Sequence, residues 1–311
     1  MPLKRNTPVS RGARLVPLLY LLSCGALIGL STNLAKLAGK VGLTPLAFLG
    51  WSITGAALAL LIVAARRHSL PPVNSRTLKY YAMSALVSVA GSNLIFFSAI
   101  PHVGASFVAL TITLPPLLTY IGALALGMER FQTLRAAGVA AALAGAGVLA
   151  AGKLGAPDAE IFWILLALLG PVLLAIGNIY RSLRWPVGAS PDALAPGMLA
   201  AAAAMLLMAG LLPGFSLAVP LDRALPTILI LVQAMIFAGQ FLLLFLLQKT
   251  GGPVLLSLLG SVGAIVGVPV AILLQGEPAP QGLIPGAALI AAGVALVTLG
   301  RPKKQLKTDV S

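Results

Sequence analysis

The chain has 311 residues, 59% of them apolar and only 9% charged, with a mean hydropathy of +1.01. A soluble domain carries about 25% charged residues, so this stock cannot clothe a water-facing surface, and it suits a helix bundle whose outside faces lipid. The net charge of +14 does not mark nucleic-acid binding, because the basic residues lie in short segments between apolar runs, and the single cysteine, Cys24, excludes a disulfide framework and a thiolate metal cluster.

The expected fold is an all-α polytopic membrane protein of ten transmembrane helices. The candidate spans are 14–35, 45–65, 79–100, 103–126, 133–151, 161–182, 194–213, 225–248, 253–275 and 282–300. Most are long enough to cross roughly 30 Å of hydrocarbon at about 1.5 Å per residue. The first exceeds a signal-peptide core, so it is kept as a span. Turn chemistry separates the spans at Gly42-Leu43-Thr44-Pro45, Pro71-Pro72, Pro101-His102, Gly155-Ala156-Pro157-Asp158, Gly251-Gly252-Pro253 and Glu277-Pro278. The third and fourth spans would otherwise fuse into one apolar helix of 48 residues, longer than the membrane, so the split is placed at Pro101.

Basic residues set the orientation. With the N-terminus in the cytoplasm, inner segments hold seventeen of the 21 lysines and arginines, and outer ones only Lys36, Lys40, Lys153 and Arg223. The positive-inside rule then predicts N-in and C-in, with residues 301–311 as a basic cytoplasmic tail. Trp51, Trp163, Tyr80, Tyr81 and Trp185 fall at expected membrane interfaces.

The second half echoes the first at an offset of 148: Gly91 with Gly239, Phe97 with Phe245, Glu129 with Glu277, and Gly138, Ala140, Ala144 and Gly145 with Gly286, Ala288, Ala292 and Gly293. The two halves, 14–151 and 161–300, then hold five helices each. An odd number makes them enter from opposite faces, an inverted repeat, as alternating-access transporters are built. Glu129 would end the fourth span inside and Glu277 the ninth outside, as a pair of gates. Plain anchoring of helix ends, or capping of the next helix, explains them as well.

Polar residues inside apolar spans are expensive unless they meet water or one another. The third span carries Tyr81, Ser84, Ser88 and Ser92 on one face, beside Asn93. Ser106, Thr113 and Tyr120 recur at seven-residue steps in the fourth, and Gln233 and Gln240 are seven apart in the eighth. The first span adds Ser31, Thr32 and Asn33, the sixth Asn178 and Tyr180, and the ninth Ser257 and Ser261. Together these are the candidates for a solute pathway, with Glu129, Glu277, Lys36 and Arg181 at its ends. Hydroxyls also bond their own helix carbonyls or serve close packing, so amides are the stronger candidates. Pro115, Pro116 and Pro269, with Gly263 and Gly267, would free backbone and allow bending in the fourth and ninth spans. Static packing is the alternative.

Asn33 and Lys36 on the first span, Pro115-Pro116 and Glu129 around the fourth, and Gly138 with Gly145 on the fifth form a recognisable pattern. Asn178 and Arg181, Pro269 and Glu277, and Gly286 with Gly293 repeat it. Over roughly residues 18 to 300 this resembles the drug/metabolite transporter superfamily, in particular its ten-helix EamA-type transporters. The resemblance implies a central cavity between the halves and movement of amino acids, other small metabolites or drugs, usually outward, with exporters of amino acids, aromatic ones included, as the nearest class. Many relatives carry a tryptophan midway along the first helix, where this chain has Ser31-Thr32-Asn33.

The expectation is therefore a secondary transporter in the bacterial inner membrane, working by alternating access, with a small-molecule substrate and the lipid bilayer as partners and no cofactor, metal or nucleic acid. A monomer would suffice, and oligomeric state is left open. All seven acidic residues fall in loops, tails or helix ends, and so do His68 and His102. That argues against a carboxylate proton relay at the midplane. No H-E-x-x-H, G-x-S-x-G or phosphate-binding glycine loop is present, so an enzyme is not expected. A structural or sensory membrane protein without transport is the competing reading.

Overall fold

A computed structural model describes residues 11–128, 130–154, 160–250 and 259–299, and among them it is helical with no strand. In chain order the helices are α1 (Arg11–Lys40), α2 (Pro45–Arg66), α3 (Ser75–Ala85), a π-turn at Leu86–Ala90, α4 (Gly91–Val103), α5 (Ala105–Thr111), α6 (Pro115–Ala125), α7 (Thr133–Leu154), α8 (Ile161–Leu183), α9 (Pro191–Ala209), α10 (Ala224–Thr250), α11 (Leu259–Pro269), a second π-turn at Val270–Leu274, and α12 (Leu283–Leu299). Among the described residues, eight helical rods are long and apolar enough to cross a membrane, with α3–α4 and α5–α6 each counting as one. Two shorter apolar segments follow, Leu259–Leu274 and Leu283–Val297, about 24 and 23 Å long at 1.5 Å per residue. These eight and two fall where ten spans are expected. Glu129, Ser257, the start of the ninth span and the tail 301–311 lie outside the described residues.

Local chemistry sets the boundaries. Thr44 caps α2, its Oγ1 accepting from Ala47 N at 3.1 Å, with Pro45 in the first turn. Asn74 and Thr77 form a reciprocal capping box that starts α3 at Ser75, four residues before the expected start at 79. Ser190 caps α9. The split between the third and fourth spans is not at Pro101, which sits inside the last turn of α4. It falls at Gly104, whose φ of +89° is one a side chain resists. A proline near a helix end removes few bonds, whereas a left-handed backbone stops the helix. The expected end of α1 at 35 is also too early. The long stems of lysines let the helix carry Lys36 and run on to Lys40.

The fourth span is broken as its prolines suggest. Residues 112–114 interrupt it, and Pro115 and Pro116 open α6. The hydroxyls of Thr111 and Thr113 return to Val108 O (2.8 Å) and Leu110 O (2.7 Å), second donors to carbonyls that also accept from Ile112 N and Thr113 N.

Large apolar side chains such as Leu58, Ile62, Leu165, Met235 and Ile265 are exposed on the outside, as lipid-facing positions should be. The interior is a continuous apolar core, threaded by Phe48, Phe97, Phe237 and Phe241 with neighbouring ring centroids 5.7 to 6.2 Å apart. Halves interleave: α1 packs on α10 and α11, α8 on α3–α4 and α6, α2 on α9 and α10, α9 on α3, and α5 on α11. The closest pair is α7 with α12. A Cβ at Gly138 would fall 2.7 Å from Gly293 O, and one at Gly145 would fall 2.6 Å from Gly286 O. Rising numbers on α7 meet falling numbers on α12, so the two helices run antiparallel, backbone against backbone.

Candidate functional site

Two polar clusters interrupt the apolar interior. The first gathers on α1. Gln233 Nε2 donates to Ser31 Oγ at 2.6 Å, both buried. Thr32 returns its hydroxyl to Gly29 O. Asn33 Nδ2 donates to Gly29 O and, across to α11, to Gly267 O, both at 2.9 Å. Gln275 Nε2 donates to Asn33 O at 2.8 Å. One turn further on, Lys36 Nζ meets Glu277 Oε2 at 2.7 Å.

Glu277 is the best-held charge among the described residues. Its side chain is 4% exposed. Besides Lys36 it accepts from Ala105 N (2.9 Å), Ser106 N (3.1 Å) and the Ser106 hydroxyl, at the first turn of α5. Gly104 makes that approach possible, since a Cβ there would run into the carboxylate. Burial pushes the Glu277 carboxyl up, but the Lys36 ammonium and the Ser106 hydroxyl and N–H outweigh it and hold it below its ordinary value. The group therefore stays ionised at neutral pH and pins α1, α5 and the end of the ninth helix together.

The second cluster gathers on α8. Arg181 Nη2 donates to Asn178 Oδ1 at 2.6 Å, and Asn178 Nδ2 reaches Thr119 Oγ1 at 3.5 Å. Ser88 lies directly against Gly177, where a Cβ would collide with its hydroxyl. Tyr80 stacks on Tyr180 at 6.1 Å and meets Trp185 edge-on at 6.4 Å. Tyr180 donates to Lys79 O at 3.4 Å.

The remaining expected pathway residues are dispersed. Ser92 is fully buried beside this cluster's serine stripe, whereas Asn93 turns back to Val89 O at 2.7 Å. Thr113 serves its own helix break. Gln240 is half-buried on α10, where its backbone carbonyl accepts from Cys24 Sγ. Gly263 and Gly267 face Ile28 and Gly29 of α1 in close contact, while Pro269 is exposed on the outer side. Tyr120 is pinned, with the Arg135 guanidinium 3.9 Å over its ring and its oxygen accepting from Gln132 N. Gln275 and the α5 N–H groups escape sequence reasoning. The only hint of them is that Gln275 stands two residues before a glutamate.

The bundle is closed. A void lined by Leu60, Arg67, Ser69, Asp192 and Phe245 has about 20 Å³, the room of a water molecule, and the Lys36–Glu277 pair shuts one end.

An apolar exterior, serial spanning helices and polar clusters inside define a multi-pass helical membrane protein. Residues 15–151 match the model of the EamA-like transporter family. That class is a membrane transporter of small molecules. A solved crystal structure of a protein superposes with a TM-score of 0.61 at 20% identity, over 93% of this chain and 99% of its own. This likeness shows a shared fold along nearly the whole length. No functionally curated protein matches the chain.

Proposed function

We propose that the chain is a secondary transporter moving amino acids, aromatic ones included, outward across the bacterial inner membrane. It would work by alternating access between two inverted five-helix units, 14–151 and 161–300, with both termini in the cytoplasm. The observation that carries this reading is the reciprocal glycine contact of α7 and α12. Under the 148-residue offset Gly138 corresponds to Gly286 and Gly145 to Gly293. Gly138 meets Gly293 while Gly145 meets Gly286, the swapped contact that a twofold relation generates. An inverted repeat has such an axis in the membrane plane, and the antiparallel run of α7 and α12 supports that reading. Two further correspondences support it. Asn33 bonds Gly267 and Asn178 bonds Thr119; Gly267 and Thr119 are 148 apart, and the asparagines 145, three short of the offset. Lys36 and Arg181 stand three residues after their asparagines.

In this conformation the Lys36–Glu277 pair latches one end of the bundle, and opening that end requires parting it. The amides and hydroxyls of the clusters suit a zwitterion. With Glu277 held ionised, facilitated exchange down a gradient is simpler than proton coupling. Counterflow of labelled amino acids in proteoliposomes tests the function. Saturable exchange is expected. A sealed, folded preparation that exchanges no amino acid, nucleoside or sugar would leave the structural or sensory reading in its place.

A further inference from the structure

The two clusters differ in charge balance. Lys36 is neutralised by Glu277. Arg181, 7% exposed, has no carboxylate partner among the described residues. A guanidinium carries five N–H donors in a fixed fork. Here one of them reaches Asn178 Oδ1, and the buried Nε–H meets no acceptor among the described residues. Its place in the last turn of α8 gives it the negative end of a helix dipole, about half a charge. That offsets only part of the cost of burying a full cation. Tyr180, the neighbour of Arg181 in the chain, stacks on Tyr80 at 6.1 Å. Tyr80, Tyr180 and Trp185 form an aromatic wall beside it.

We propose that Arg181 is the docking point for the carboxylate of a small aromatic acid, whose ring lies along the Tyr80–Tyr180–Trp185 wall when the bundle opens. The guanidinium fork offers two parallel donors to a carboxylate, and Asn178 holds the fork in position. Lys36 is not available for this role while Glu277 holds it. The inference rests on the transport reading and narrows it: the acid group of the solute is recognised on the α8 side.

The test is thermal unfolding of the full-length protein in detergent with L-phenylalanine or L-phenylalaninamide, which lacks the carboxylate. Phenylalanine should bind at least about tenfold more tightly than the amide, as a charge-assisted bond implies. Arg181→Gln should erase that difference. Arg181→Lys, which keeps the charge without the fork, should retain a weakened preference, and it serves if Arg181→Gln does not fold. Equal binding of acid and amide, no binding of phenylalanine, or an acid preference undiminished in both variants overturns the proposal. So does Arg181-dependent stabilisation by phosphatidylglycerol nanodiscs, or by inorganic phosphate, without any by phenylalanine, which would assign the guanidinium to a lipid headgroup or a free anion. Counterflow separates this inference from the one beneath it. Solutes carried without carboxylate preference defeat only the Arg181 assignment. Acid-selective binding without flux of any solute defeats only the transport reading.

Discussion

Glu277→Gln keeps the side-chain volume and removes the charge at the most heavily bonded carboxylate among the described residues. Four donors converge on it from α1 and α5. The amide could accept on one oxygen only, and it would leave the Lys36 ammonium, 17% exposed, without a counter-ion. Breaking a buried pair costs about 3–5 kcal/mol. The residual exposure of Lys36 places this case at about 3 kcal/mol, near the low end. If the pair exists only in the closed conformation, that loss shifts the closed–open balance by about a hundredfold toward open. A cysteine at Val103, 2% exposed in the closed bundle, in a Cys24→Ala background, reports the shift. Its alkylation by an impermeant maleimide should accelerate by about two orders of magnitude in Glu277→Gln. Adding Lys36→Met should restore slow labelling, because the stranded cation is gone. Unchanged alkylation in Glu277→Gln, or a double variant as open as the single effects summed, would refute the latch.

Further outcomes follow from the same contacts. Because the Glu277 carboxyl is depressed, its stabilisation is present above the unfolded value, about 4.3, and is lost as pH falls through the lower folded value. The melting temperature should therefore be insensitive to this group from about pH 5 to 8 and fall in stronger acid, with a smaller acid drop in Glu277→Gln. Gly145→Leu pushes a side chain into Gly286 O and should destabilise by about 1–3 kcal/mol, read as a lower melting temperature. Ser31→Ala orphans the Gln233 amide and should cost about 1–3 kcal/mol, whereas the Ser31→Ala/Gln233→Leu double variant should recover most of it. Asn33→Ala and Gln240→Ala should shift solute preference in counterflow while the protein stays folded. Unchanged kinetics in both would remove these amides from the pathway.

The spans were legible because length and hydropathy act residue by residue. The break in the fourth helix was legible because Pro115 and Pro116 cannot continue one. What escaped depends on distant partners. Glu277 reads as a water-facing helix end. Its burial comes from Lys36, 241 residues away, and from N–H groups that α5 presents only because Gly104 turns the chain. Pro101 reads as the breaker because proline is the stronger local signal, yet its place in a final turn makes it harmless. Ser31, Thr32, Asn33, Ser88, Ser92, Thr113 and Gln233 are buried, while Asn93, Asn178, Tyr180 and Gln240 are only partly so. Which of them meet could not be read from spacing, because Ser31 finds Gln233 across helices while Asn93 and Thr113 bond their own carbonyls.

Sidedness is the most direct test of the inverted arrangement. Single cysteines replacing Arg130, next to Glu129, and Pro278, next to Glu277, in the Cys24→Ala background, should be labelled by an impermeant reagent in vesicles of known orientation. Two inverted units predict labelling at 130 from the cytoplasmic face and at 278 from the outer face. Labelling of both from one face would contradict the inverted repeat and the two-gate mechanism with it.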